Sequence, residues 1–182
     1  MTSHVSLTCP CQISPSINAE TVLLSYKDCC QDYHDHINKI DGIKAVSAER
    51  LMRSRYSAFV LVKPDYIVQT TVPAQQELLD IASIASWAQE TDWARLQIVK
   101  HTPKLGKRHA QVEFKAFYNA ENGLQAHHEL STFVKIADKS ADKKNERWYF
   151  IDPTVAMTVS QKQPCICGSG EKFKRCCGVY LA

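Results

Sequence analysis

No apolar run in this 182-residue sequence is long enough to cross a bilayer as a helix, so no membrane contact is expected. The opening stretch, MTSHVSLTCPCQ, lacks a basic start followed by an apolar segment, so we expect no secretory signal and a cytoplasmic location. Excess charge is also missing. A formal net charge of +3 is too small to mark a nucleic-acid binder by bulk charge. Disorder is excluded by 45% hydrophobic against 23% charged residues, which allows an ordinary core that does not depend on metal. Cysteine is absent from the long stretch between Cys30 and Cys165. Disulfide scaffolds spread their cysteines through a small, core-poor domain, so this gap argues against one.

What is present is cysteine at both ends. The tail reads PCICGSGEKFKRCCG, with Cys165, Cys167, Cys176 and Cys177 around a Gly-Ser-Gly turn. Zinc takes four soft ligands in a tetrahedron, and glycines let a short turn bring backbone N–H groups close to the sulfurs. Lys172, Lys174 and Arg175 offset the negative charge of such a site. The first end repeats the pattern with Cys9, Cys11, Cys29 and Cys30. SYKDCCQDY and KFKRCCGVY align Tyr26 with Phe173, Lys27 with Lys174, the two cysteine doublets, and Tyr33 with Tyr180. The first copy lacks the Gly-Ser-Gly turn and carries the insert QISPSINAETVLLS, where Asn18 is placed to cap a short helix using Val22 and Leu23. His34 and His36 follow closely; they are expected on the surface, or as a replacement for one N-terminal cysteine. Two zinc ions are expected, each four-thiolate site adding about two negative charges and bringing the balance to about −1. The tail is too short to form a core of its own, and metal binding worth on the order of 10 kcal/mol takes its place.

The tail resembles the SEC-C motif, a zinc-binding module also found at the end of the preprotein translocase motor SecA, where it engages the SecB chaperone and the ribosome. Its ligand pattern, C-x-C, eight residues, then C-C or C-H, is met by Cys165, Cys167, Cys176 and Cys177. The resemblance implies a zinc-dependent contact module but no particular partner, because such modules occur on unrelated proteins. Lys172, Phe173, Lys174 and Arg175 are the candidate contact residues.

Between the ends, Ser47 is a good N-cap for a helix through AERLMRSRYSAFVLV, with Met52, Tyr56, Phe59 and Val60 on its core face. Arg55 projects on that apolar side, four residues from Leu51 and from Phe59, whereas Arg50 and Arg53 are expected to face solvent. Pro64 opens a second helix, PDYIVQTT, and AQQELLDIASIASWAQE reads as a third, with Leu78, Leu79, Ala82 and Ala85 in helical period. From Trp93 the period changes to two. ARLQIVKH, HAQVEFKAFYN, LQAHHELSTFVKI and RWYFID read as strands, joined by PKLGKR, AENG and ADKSADKKNE. The order predicts an α+β fold, with helices covering one face of a curved antiparallel meander.

That arrangement describes an NTF2-like cone, and RLMRSRYSAFV, PDYIVQTT, TDWARLQI, HELSTFVK and WYFIDPT resemble the central domain of the YchJ-like (UPF0225) family. The chain departs from that family at Gln12-Ile13-Ser14, where members usually show Gly-Ser-Gly. The expected organisation is an N-terminal zinc module over 1–40, the NTF2-like domain over 41–158 and the SEC-C module over 159–182. Cones of this kind often hold a pocket. Arg55, His127, Glu129, Ser131 and Asp152 are its candidate residues, with a Glu129–Arg55 pair expected inside. No catalytic residue is assigned. HHE is not the H-E-x-x-H zinc-hydrolase motif, and GSG is not a phosphate loop.

Two basic stretches complete the inventory, the hairpin tip from Lys100 to His109 and the tail with Lys162, Lys172, Lys174 and Arg175. Either can touch RNA phosphates, which gives salt-dependent affinity. The expected function is zinc-stabilised binding to a protein or ribosome-associated partner. The alternative is a ligand-binding or enzymatic pocket with structural zinc. A homodimer through the sheet is a further expectation.

Overall fold

A computed structural model of the chain describes residues 8–12, 23–37, 44–138 and 145–181. The proposed Asn18 cap and Val22 lie outside these residues. Five helices come first: α1 (Gln31–Asp35), α2 (Ala48–Val60), α3 (Pro64–Gln69), α4 (Pro73–Gln76) and α5 (Ile81–Glu90). Four strands follow, β1 (Asp92–Leu105), β2 (His109–Ala120), β3 (Gly123–Asp138) and β4 (Asn145–Ile151). They pair antiparallel in chain order, as a meander should. Two 3-10 turns, Phe173–Arg175 and Cys177–Val179, lie in the tail. No helix among the described residues is long and apolar enough to cross a membrane.

The alternation in β2 does what it predicts: Ala110, Val112, Phe114 and Ala116 are buried on one face. They meet Leu51, Met52 and Tyr56 of α2, together with Phe133 and Phe150, in the main core. Ser47 caps α2 by accepting from the Arg50 N–H at 3.1 Å. Register shifts along β1 bend that strand, which curves the sheet around the helices. β1 runs on through Leu105, so the turn read as PKLGKR shrinks to the residues around Gly106, whose φ is +58°.

The third helix expected from sequence is divided. α4 stops at Gln76, and Asp80 starts α5 by accepting from the N–H groups of Ala82 and Ser83 at 3.0 and 3.2 Å. A side chain that satisfies orphan N–H groups begins a helix wherever it stands, so apolar periodicity alone misplaced this boundary. Leu78, in the gap, is exposed. The connection into α4 also covers the outer edge of β4, with Val72 donating to Phe150 O and Phe150 to Thr70 O, each at 2.8 Å. An edge strand closed in this way is not left open to stray pairing.

Two cysteine tetrads and a central cavity

Each cysteine group folds into a tetrad. The sulfurs of Cys9, Cys11, Cys29 and Cys30 lie within 4.8 Å of one another, as do those of Cys165, Cys167, Cys176 and Cys177. All eight are buried and none is in a disulfide. Cys11 and Cys29 sulfurs are 3.4 Å apart, Cys29 and Cys30 3.8 Å, and Cys167 and Cys176 3.6 Å. A tetrahedron with Zn–S bonds of about 2.3 Å separates its sulfurs by about 3.8 Å, whereas a disulfide needs about 2.05 Å. The donor set and its spacing therefore fit two zinc sites, held by Cys9, Cys11, Cys29 and Cys30 and by Cys165, Cys167, Cys176 and Cys177.

The thiols also respond to their crowding. Cys11 acts to raise Cys9, but Cys29 and Cys30 outweigh it and lower Cys9 to about 7. Cys30 is pushed up, first by Cys11 and then by Cys29. In the second tetrad Cys165 and Cys177 pull Cys167 down, while Cys165 and Cys167 push Cys177 up. Sulfurs this close compete for protons that a divalent cation would displace.

The internal repeat seen in sequence is a repeat in space. Cys9 N–H donates to Leu24 O and Cys165 N–H to Glu171 O, both at 2.8 Å. Thr8 bridges Ser25 as Pro164 bridges Lys172. Cys29 N–H reaches Tyr26 O as Cys176 N–H reaches Phe173 O, so the aligned aromatics occupy equivalent places. The surroundings of the two tetrads differ.

The first tetrad sits against α2. Arg50 donates through Nη2 to Cys29 O at 2.8 Å and to Cys29 Sγ at 3.2 Å, and through Nη1 to the Cys11 and Cys30 sulfurs at 3.8 Å. Its guanidinium also stacks over Tyr33, 4.8 Å from the ring centre. Arg53, braced by Glu49, donates to Cys11 O at 2.9 Å. These arginines do not face solvent as expected, because the tetrad covers the polar side of α2. Burial opposes the Arg50 charge, but the field of Cys30 and the bonds to Tyr33 and Cys29 outweigh it and raise its pKa. Ser57 adds a contact to Cys9 Sγ at 3.6 Å.

His34 is neither a ligand nor a surface residue. It is buried, with Nδ1 2.9 Å from the Tyr26 hydroxyl and Nε2 2.9 Å from Ser54 O, and so joins the first module to α2. His36 stands outside the tetrad.

The second tetrad sits against the sheet. Its cysteines share a core with Val72, Val134 and Ile151, so the tail completes an existing core rather than folding around metal alone. His109, next to the turn of the β1–β2 hairpin, places Nε2 3.4 Å from Cys177 Sγ and packs on Tyr180 with ring centres 4.7 Å apart. Phe173 does not serve as a surface contact residue. It is buried in the same core, so close to Gly178 that a Cβ there would lie 2.8 Å from its ring. Lys172, Lys174 and Arg175 are exposed. Sequence reasoning missed Arg50, Arg53, Ser57 and His109, because each acts across a long stretch of chain and none belongs to a local motif.

The cone holds a half-open cavity of about 390 Å³, and Arg55, His127, Glu129, Ser131 and Asp152 all line it. The expected Glu129–Arg55 ion pair does not form. Arg55 Nη1 instead donates to Ile67 O, Thr70 Oγ1 and Thr71 Oγ1 at 2.8, 2.6 and 3.3 Å, and the guanidinium lies over Phe150. Ile67 of α3 and Thr70 and Thr71 just after it supply acceptors to Nη1, so that nitrogen is satisfied without Glu129. Burial lowers its pKa to about 10, against the fields of Asp152 and Glu129. Glu129 bonds His127 Nε2 at 2.9 Å and accepts from Ser131. Asp152, just past β4, accepts from the Thr154 N–H and hydroxyl. His128 faces the other side of the sheet and pairs with Glu113, as the strand period requires.

Comparison with known proteins agrees with this geometry. Family models match three segments: the "YchJ, middle NTF2-like domain" at residues 47–153, the "YchJ family protein, N-terminal zinc binding domain" at 1–38, and the "SEC-C motif" at 162–178. A UPF0225 protein of Actinobacillus succinogenes is 46% identical over 173 residues, covering 95% of this chain and 97% of its own. One from Haemophilus influenzae is 47% identical over 173 residues, covering 95% and 92%. The crystal structure of a SEC-C motif containing protein from Psychrobacter arcticus superposes with a TM-score of 0.88 at 67% identity, covering 95% of this chain and 96% of that one. The solution structure of a SEC-C motif containing protein from Rhodopseudomonas palustris gives 0.56 at 33% identity, covering 72% and 91%. Likeness of this degree along almost the entire length places the chain in the YchJ (UPF0225) family, an NTF2-like domain with a zinc-binding domain before it and a SEC-C motif after it.

Proposed function

We propose that zinc is structural in this protein and that the second tetrad fixes a basic face for an acidic protein partner. Four thiolates leave no open position for substrate or water, which argues against a catalytic metal. One observation carries the reading: the two basic stretches, far apart in sequence, form one surface. Lys107 at the hairpin tip reaches Glu171 in the tail at 3.7 Å, while His109 and Tyr180 pack together beneath. Exposed Lys107 is thus held against the tail segment that carries exposed Lys172, Lys174 and Arg175. The ion pair contributes little to stability. Its value here is that it locates one stretch against the other.

Chemistry favours protein over single-stranded nucleic acid. Binding single strands relies on exposed aromatic platforms, but Phe173 is buried and Tyr180 is engaged by His109. The test is affinity capture with the zinc-loaded protein and a variant carrying Lys172→Glu, Lys174→Glu and Arg175→Glu. A protein partner retained by the former, lost by the latter and by added salt, and indifferent to ribonuclease is the expected result. Loss on ribonuclease treatment would transfer the reading to RNA, and capture unchanged by charge reversal would end it.

A further inference from the structure

The cavity presents a problem of unmatched charge that neither tetrad addresses. Arg55 is only 7% exposed, and all its hydrogen bonds run from one nitrogen, Nη1. Nε and Nη2 make no hydrogen bond among the described residues, yet they are not among the sealed, unpartnered buried atoms. Arg55 lines the cavity, so this free edge opens into it. A guanidinium edge of that kind is built to take a carboxylate through two parallel N–H bonds. Leaving it desolvated and unmatched is costly.

The opposite charge lines the same cavity, from β3 rather than α2. Burial works against ionising Glu129, but bonds from His127 and Ser131 and the fields of His127 and Arg55 outweigh it, so its pKa lies below the ordinary carboxylate range. Its carboxylate is thus an anion fixed in place. Asp152 adds a second carboxyl group to the lining. The rest of the lining includes the aromatic side chains of Tyr56, Phe59, Trp87, Trp93, Phe114 and Phe133. The volume, about 390 Å³, falls at the small end of ligand pockets.

These features select by charge. A bare anion would satisfy Arg55 but meet the carboxylates of Glu129 and Asp152. A bare amine would leave Arg55 unmatched. A molecule with both charges and an apolar body satisfies both ends of this lining.

We propose that the cavity binds a small apolar zwitterion of the α-amino-acid class, its carboxylate on the free edge of Arg55, its ammonium toward Glu129 and its side chain among the aromatic rings. This is independent of the basic face, since the cavity and the tail lie on different parts of the molecule's chain and use different residues.

The test is isothermal titration of the full-length, zinc-loaded protein with L-phenylalanine and L-leucine. 3-Phenylpropionate, which lacks the amine, and phenethylamine, which lacks the carboxylate, are run beside them. At least one amino acid is expected to bind, with both truncated analogues weaker by roughly tenfold or more. Glu129→Gln keeps the size of the side chain and one accepting oxygen while removing its charge. It should weaken the amino acid by a similar factor and leave 3-phenylpropionate unchanged or improved. Absence of heat with both amino acids into the millimolar range overturns the proposal. So does equal binding of either analogue, or an amino-acid affinity unmoved by Glu129→Gln in a folded variant.

Discussion

Gln12 repeats the backbone of Gly168. φ is +53° at the first and +68° at the second, and each residue's N–H donates at 2.9 Å to the carbonyl three positions back, at Cys9 and Cys165. The first module thus keeps the turn of the second without its glycine. A side chain in this left-handed region costs about 1–2 kcal/mol.

Replacing Gln12 by glycine should therefore stabilise the first module. After allowance for the extra freedom glycine has when unfolded, a gain of about 1 kcal/mol is expected. Denaturant unfolding of the zinc-loaded protein reads it directly, and a loss of stability would show that the Gln12 side chain contributes more than its backbone costs.

Arg50 is expected to matter for metal rather than for folding alone. It contacts three of the four sulfurs of the first tetrad and one carbonyl. Arg50→Ala should weaken zinc at that site by about 10–100-fold, as loss of an outer partner does elsewhere. Competition with a chromogenic chelator measures it. The second tetrad serves as the internal reference, and equal weakening at both sites would contradict the assignment.

Metal loss at the second tetrad should loosen the sheet as well as the tail. Cys165, Cys167, Cys176 and Cys177 share a core with Val72, Val134 and Ile151. Cys177→Ser should reduce stability by several kcal/mol. It should also speed amide exchange in β4 and in the segment at Val72. Exchange confined to residues after Val159 would mean the tail is energetically separate.

His34 sets a pH dependence. Burial lowers its pKa to about 4, against the bond to Ser54 O, while an exposed imidazole titrates near 6.5. The unfolded chain therefore binds more protons between these values, so stability is present above about 6.5 and is lost as pH falls toward 4. The full loss is about 3 kcal/mol. His34→Gln should flatten the difference in unfolding free energy between about pH 7 and about pH 5. Thiolate protonation affects parent and variant alike and cancels in the comparison.

The legible parts of this molecule are those written locally. Spacing of Cys9, Cys11, Cys29 and Cys30 and of their C-terminal counterparts announces two tetrads, and the alternation through Ala110, Val112, Phe114 and Ala116 announces a half-buried strand. The misread parts are long-range. Arg50 and Arg53 lie on the polar side of α2, which reads as a solvated face until the first tetrad is laid over it. The Arg55–Glu129 pair failed for a related reason, since α3 supplies acceptors that sequence distance concealed. The union of the two basic stretches required knowing where the hairpin tip lands.

The tail's seat on Val72, Val134 and Ile151 has a consequence for where the molecule ends. The family matches draw a line at residue 153 and begin again at 162, as though a bead followed a cone. Packing draws no such line. A chain cut after residue 158 would carry every strand of the sheet and still present a raw apolar seam along β4, the kind of surface that draws chains into aggregates. The last two dozen residues are the keystone of the arch they appear only to adorn.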